Sequence, residues 1–373
     1  MRPSWIEIDL NAIEHNVRQI AAAIGASALC AVVKADAYGH GDVPVAEAAI
    51  RGGARWLAVA LVEEGVRLRE AGIDVPMLIL SEPPRAQARP IVTHGLTPSA
   101  YTAGFVEEIA SVARDASKSP YPVHLKLDTG MHRVGASPVE AFEVARMIAG
   151  DDRLLLQGVF THFAVADEDL AYTRRQNDAL LQFVRSLAAE GITPKILHAA
   201  NTAAAFDLPD SRHDLCRVGL GIYGMRPHPE SGSGIDLTPA MRVISHVTYV
   251  RELSTGARPS YGRRRPLPGA GSVVTVPIGY ADGVRRSLSG EGSVLINGER
   301  YPHAGTITMD MVVVDVGSDD IRVGDEVVLM GTQRDGEILA EEWARLLDTI
   351  TYEVVCDFGP RLPRRYIGEP ADG

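Results

Sequence analysis

Hydrophobic positions in the first two thirds of the chain fall into short unbroken runs separated by stretches with helical spacing, whereas in the last third they alternate. Residues 5–10 alternate like a half-buried strand, and residues 11–24 follow with Ile13, Val17 and Ile20 on one helical face, ending at Gly25. Continuous apolar runs then recur at 29–33, 56–61, 77–80, 91–96, 123–127, 154–162, 196–199 and 215–222, eight in all. A run without polar alternation predicts a strand covered on both faces. The intervening stretches carry helix signals: Asp42 as a cap, Ser137-Pro138-Val139-Glu140 as a capping box stopped at Gly150, and an amphipathic helix over 169–190 closed by Gly191. Eight strand–helix units over some 220 residues predict parallel pairing through right-handed crossovers, closing into an α/β (β/α)8 TIM-type barrel.

Past Pro229 the texture changes. Ser231-Gly232-Ser233-Gly234 predicts a flexible connector, and strands are expected at 243–253, 272–278, 293–296, 311–316 and 326–330, with one helix at 339–347. Asn297-Gly298 is a hairpin turn signal. The expectation is therefore two domains: residues 1–234 as the barrel, and residues 235–373 as a mostly antiparallel β domain onto which residues 1–10 could fold back.

Composition narrows the partners. The formal charge of −11, from 48 acids against 37 bases, argues against nucleic acid or an anionic membrane and favours a small molecule. Cys30, Cys216 and Cys356 are widely spaced, which suits free thiols in a reducing, cytoplasmic setting and shows no metal-ligand spacing. No apolar stretch has the length of a signal peptide or a membrane span, so no membrane partner is expected.

Candidate chemistry gathers where the barrel strands end, because their C-terminal ends share one mouth. The first strand ends in Lys34, with Tyr38 in the following loop; the fifth in Lys126-Leu127-Asp128 and then Arg133; the sixth in His162; the seventh in Asn201-Thr202; the eighth carries Arg217 before Gly219-Leu220-Gly221. Each has a plainer reading. A strand-end lysine commonly snorkels to solvent, Lys126, Asp128 and Arg133 equally fit a surface ion pair, and Thr202 fits a helix cap. Together, a lysine amine and a glycine-turn phosphate cradle suggest pyridoxal 5'-phosphate held as a Schiff base. Arg217 near the cofactor ring would not protonate its nitrogen, which favours simple proton removal and return. In the β domain, Pro277-Ile278-Gly279-Tyr280-Ala281-Asp282-Gly283 and Thr308-Met309-Asp310 place a tyrosine and a methionine in strand-end loops.

The motifs AVVKADAYGHG, LKLDTGMHRVG, THFAVADE, HAANTAAAF, RVGLGIYGM, PIGYADG and TMD, in this order across nearly the whole chain, resemble the alanine racemases. That resemblance implies a pyridoxal-phosphate isomerase working as a homodimer with its active site shared across the interface, making D-alanine for peptidoglycan precursors. Lys34 would carry the cofactor and act as one acid/base, and Tyr280 of the other subunit would act on the opposite face. Two bases on opposite faces are what inversion needs. Tyr38, Thr202, Gly219 and Leu220 would hold the phosphate, with Asn201 and Tyr223 as further cofactor contacts. His162 would touch Tyr280 and Arg217. Arg133 would bind cofactor and substrate carboxylate, which Met309 would also meet, supported by Asp310 and by Lys126, a position some members carbamylate. Thr306, Thr308 and Pro360 stand where many or several members have arginine, cysteine and tyrosine. A broad-specificity racemase, a barrel-type decarboxylase and a non-catalytic pyridoxal-phosphate-binding protein are the competing readings.

Overall fold

The computed structural model describes residues 2–368. Two compact units are built from interleaved parts of the chain: one from Ala12–Ala37 and Asp42–Thr238, the other from the chain up to Asn11, Tyr38–Gly41 and the chain from Pro239 onward. The first strand, β1 (Trp5–Asp9), belongs to the second unit.

The first unit is a parallel barrel. Its strands are β2 (Ala28–Val32), β3 (Trp56–Val59), β4 (Met77–Ile79), β5 (Thr97–Ala100), β6 (Tyr121–Lys126), β7 (Leu154–Phe160), β8 (Ile196–His198) and β9 (Leu215–Val218). Neighbours pair in parallel from β2 through β8, and β9 pairs with β2. Between β8 and β9 the Asp214 amide donates to the Leu197 carbonyl at 3.1 Å and the Arg217 amide to the Ala200 carbonyl at 3.0 Å, so the ring nearly closes. Strands β3, β4 and β9 are buried at every position, which is why they read as unbroken apolar runs.

The expected capping box is present: the Ser137 hydroxyl accepts from the Glu140 amide, opening the helix Pro138–Ala149 that Gly150 caps. Asp169 likewise caps Leu170–Ala189.

Two expectations fail here for physical reasons. Residues 91–96 are not the fourth barrel strand: Ile91 and Val92 lie buried in the helix Ala88–Thr93, and the strand is Thr97–Ala100. Its sequence, TPSA, has no apolar run to announce it, and the Ser99 hydroxyl bonds the Ile79 carbonyl of β4 instead. Residues 231–234 are not a flexible connector either. Ser231 is fully buried, the Asp207 carboxylate accepts from its hydroxyl and from the Gly232 amide, and Arg226 donates to the carbonyls of Ser231 and Gly232.

The second unit is mostly antiparallel. Strand β1 pairs antiparallel with β10 (Met241–His246). The expected strand over 243–253 is two strands, β10 and β11 (Tyr249–Leu253), which enter different sheets. Strand β11 joins β12 (Gly271–Val276), which precedes the hairpin of β13 (Ser293–Ile296) and β14 (Glu299–Pro302). At its turn Asn297 and Gly298 take φ of 57° and 91°, as an Asn-Gly turn requires. Strand β15 (Val312–Gly317) completes the three-stranded sheet with β11 and β12. The larger sheet runs β14-β13-β16-β10-β1-β18, where β16 is Glu326–Gln333, β17 (Gly336–Ile338) pairs with β16, and β18 is Arg364–Ile367, parallel to β1.

Candidate functional site

Lys34 follows β2 and opens an unusual turn. Ala35, Asp36, Ala37 and Tyr38 have φ of 51–53°, and Gly39 has 77°, so Lys34–Gly39 winds left-handed. For residues with a side chain this costs about 1–2 kcal/mol each, and it persists only where the surroundings hold it. The buried Glu64 carboxylate accepts from the Ala35 amide at 2.7 Å and from the Ala60 and Leu61 amides at 2.8 and 3.0 Å, tying the turn to the end of β3. The Asp36 carboxylate accepts from the Asp42 amide at 3.0 Å. A backbone over-determined in this way delivers the lysine in one direction.

The barrel mouth is cationic. Lys34, Lys126, Arg133 and Arg217 lie close enough that burial, then the three other cations, push the Lys126 amine down to about 7. The Lys126 amine donates to the Leu80 carbonyl at 2.8 Å, and its side chain lines a small cavity with Arg133, Thr161 and His162. Arg217 is buried against neutral acceptors: His198 Nδ1 at 2.8 Å, the carbonyls of Thr161 and Ala199 at 2.8 and 2.9 Å, and His162 Nδ1 at 3.3 Å. Burial lowers it to about 10, so it stays charged at neutral pH. Burial first, then the same cations, hold His162 well below its ordinary value, so its ring is neutral and its Nδ1 accepts from Arg217.

Asp128 pairs with none of these cations. Its carboxylate accepts from the amides of Gly130, Met131 and His132 at 3.0–3.1 Å and from the His132 ring at 3.0 Å. Burial pushes Asp128 up, but those donors outweigh it and hold the carboxyl below its usual range. Its work is to shape the loop that presents Arg133, which is solvent-exposed.

After β8 and β9 the Thr202 hydroxyl accepts from the Gly219 amide at 3.1 Å, next to the single turn Leu220–Tyr223, whose leading N–H groups have no intrahelical acceptor. Asn201 and Tyr223 have structural tasks there: the Asn201 side chain caps Thr202–Asp207, and the Tyr223 hydroxyl donates to the Val32 carbonyl at 2.8 Å. Among the described residues no group of three or more His, Cys, Asp or Glu could hold a metal ion, and no helix is long and apolar enough to cross a membrane.

The second unit holds the remaining candidates. Burial raises the Tyr38 phenol far above its ordinary value, so it remains a donor, and its ring meets that of Tyr352 edge-on at 5.7 Å. Tyr352 escaped the motif reading; its only signal was an aromatic on an apolar helix, Thr351–Cys356. The Tyr280 and Ala281 amides donate to the carbonyls of Thr308 and Met309 at 3.0 and 3.1 Å, zipping the two expected loops together. Gly279 permits this approach, since a Cβ there would lie 2.3 Å from the Thr308 carbonyl oxygen. The fully buried Asp282 carboxylate receives Arg2 at 2.7 and 3.0 Å and Arg361 at 3.2 Å, and Arg361 reaches on to Asp310 at 2.7 Å.

A second tyrosine borders the same loop. Thr306 is buried, and its hydroxyl donates to the Tyr261 carbonyl at 2.7 Å. Ser260 and Arg263, on either side, have φ of 65° and 46°. Tyr261 is 72 % exposed against 42 % for Tyr280.

The buried histidines make stability depend on acid. Burial, above all, holds His124 in the first unit and His303 in the second down at about 4, whereas an unfolded histidine titrates at about 6.5. Between those values the unfolded chain binds more protons, so stability rises with pH. The expected result is a urea midpoint that falls steadily below about pH 6.5, each histidine costing up to about 3 kcal/mol by about pH 4. His124→Phe should flatten that slope.

Comparison with known proteins covers the whole chain. The sequence profile described as "Alanine racemase, N-terminal domain" matches residues 8–227, and that described as "Alanine racemase, C-terminal domain" matches residues 240–366. A protein named alanine racemase from Symbiobacterium thermophilum is 43% identical over 373 residues, covering 100% of this chain and 99% of its own length. One named alanine racemase 2 from Bacillus subtilis is 39% identical, covering 98% of this chain and 95% of its own. The crystal structure of alanine racemase from Streptomyces lavendulae superposes with a TM-score of 0.93 at 37% identity, covering 99% of this chain and 98% of that one.

Proposed function

This chain belongs to the alanine racemase family, and from that premise we propose that it interconverts L- and D-alanine with pyridoxal 5'-phosphate, as a cytoplasmic homodimer supplying D-alanine for peptidoglycan precursors. The observation that carries this reading is the barrel mouth itself. Four cations, Lys34, Lys126, Arg133 and Arg217, share it, and Arg217 is buried against neutral partners. Such a donor set calls for an anionic ligand, and a phosphorylated cofactor together with a substrate carboxylate fits it.

When bound, pyridoxal phosphate supplies the electron sink that makes the Cα proton of an amino acid removable. Lys34 Nζ would attach the cofactor and, once the substrate amine displaced it, would take or return that proton on one face. Thr202, with the amides of Gly219 and Leu220, holds the phosphate, and Tyr38, joined to Lys34 through the left-handed turn, adds a phenol donor. Arg217 donates to the cofactor ring without releasing a proton, which favours return of the proton over other outcomes. Arg133 binds the substrate carboxylate, and the partner's loop bearing Met309 borders the substrate. Lys126, near neutral as an amine, is suited to take up carbon dioxide as a carbamate that would hold Arg133.

The second base is a tyrosine of the partner subunit, acting on the opposite face. The PIGYADG motif makes this tyrosine Tyr280. Tyr280 is 42 % exposed on a turn whose amides bond the carbonyls of Thr308 and Met309, which supports a firmly held phenol offered to another subunit.

A substrate screen on the purified dimer with alanine, serine and basic amino acids tests the reading. Interconversion of alanine enantiomers well above the rest is expected. Release of carbon dioxide would mark a decarboxylase, and cofactor binding without turnover would mark a binding protein; either would overturn the proposal.

A further inference from the structure

Beneath Arg217 lies a chain of buried polar side chains that the proposed reaction does not itself require. Arg217 Nη1 lies 2.8 Å from His198 Nδ1, His198 Nε2 lies 2.8 Å from His124 Nδ1, and His124 Nε2 lies 3.1 Å from Gln157 Oε1. We propose that His198, His124 and Gln157 form a hydrogen-bond relay with a single direction, and that all three are positioning residues that hold Arg217 for the racemisation proposed above.

The direction follows from what each group can donate. A guanidinium has donors and no acceptor, so His198 Nδ1 must be bare and its one proton must sit on Nε2. That proton goes to His124 Nδ1, which leaves the proton of His124 on Nε2. It is accepted by the amide oxygen of Gln157. If either ring reversed its tautomer, two N–H groups would face one another at 2.8 Å, beside a buried cation. Each link also polarises the next toward the Arg217 charge. Burial keeps both rings neutral, since His124 and His198 are held well below the ordinary histidine value.

The packing is as specific as the bonding. Phe160 stacks on His198 with centroids 4.5 Å apart and planes 6° apart, and the Trp56 ring lies 5.5 Å from His124. Gly158 leaves room for the His124 ring, because a Cβ there would lie 2.7 Å from its Cε1 and Nδ1. The relay gives Arg217 an oriented acceptor without a carboxylate, so its positive charge is aimed but not neutralised.

The role in catalysis rests on the racemase reading, while the relay itself does not. Nitrogen NMR of the holoenzyme with labelled histidine reads the tautomers directly. The expected spectra show His124 and His198 neutral and protonated at Nε2, unchanged from about pH 5.5 to about pH 8. A ring protonated at Nδ1, or charged at neutral pH, would overturn the relay. Gln157→Leu should mix the His124 tautomers and lower kcat at least about tenfold, with KM changed less than about threefold. Gln157→Glu accepts from the same N–H and should restore both readouts. A Gln157→Leu protein with parental spectra and parental kcat would overturn the positioning role. If the parent protein failed to racemise alanine, the functional reading would fall while the spectra still decided the relay.

Discussion

Lys34→Ala lowers alanine racemisation by at least about 10³-fold, because one substitution removes both the attachment of the cofactor and the proton carrier on one face. The amine stands alone in that task. Arg133 and Arg217 cannot form an imine, and the Lys126 amine, which donates to the Leu80 carbonyl, is the one proposed above to carry a carbamate. Steady-state kinetics in both directions measure the loss, and the imine absorption of the bound cofactor should vanish in parallel. Because Lys34 is only part-buried at a strand end, the thermal midpoint should stay near that of the parent. Added methylamine, a free substitute for the missing side chain, should recover part of the rate. A Lys34→Ala protein racemising at the parental rate would remove the residue from the mechanism.

The second large effect is at Tyr280. Tyr280→Phe is expected to cost about 10²–10⁴-fold in kcat, the range for a lost acid–base group. Tyr261→Phe, at an exposed tyrosine outside the PIGYADG motif, is expected to leave kcat near the parental value. A Tyr280→Phe protein with parental kcat would remove Tyr280 from the mechanism. Mixing subunits tests the shared site. A Lys34→Ala protein and a Tyr280→Phe protein are each nearly inactive, but half of the dimers formed after equal mixing are hybrids, each with one complete site. Recovery of about a quarter of the parental activity is expected from that symmetry. No recovery would mean that lysine and tyrosine act within one subunit.

Much of this was legible from residue patterns, and what was not has identifiable causes. Seven of the eight barrel strands announce themselves because burial on both faces leaves an unbroken apolar run. The fourth does not, because TPSA fills its place with small and polar residues while the apolar Ile91 and Val92 serve the preceding helix. The Ser-Gly repeat at 231–234 looked flexible by composition, yet Asp207, well upstream, and Arg226, just before it, hold it by specific hydrogen bonds. In the site, Lys34, Arg133, His162, Thr202 and Arg217 stood out because strand ends concentrate chemistry. His124 and His198 did not, since a histidine within an apolar strand carries no mark of what its ring touches across the barrel. The left-handed turn after Lys34 was also hidden, because three of its four residues with side chains, Ala35, Ala37 and Tyr38, are not types that favour positive φ.

Exchange at Cα in deuterated water, started separately from L- and D-alanine with the cofactor-loaded protein, tests the central claim most directly. Mirror-image substrates are equal in free energy, so both reactions should reach the same one-to-one mixture, with solvent deuterium at Cα and no pyruvate or carbon dioxide. Retention of either enantiomer's configuration at equilibrium, or appearance of pyruvate or carbon dioxide as the main product, would contradict it.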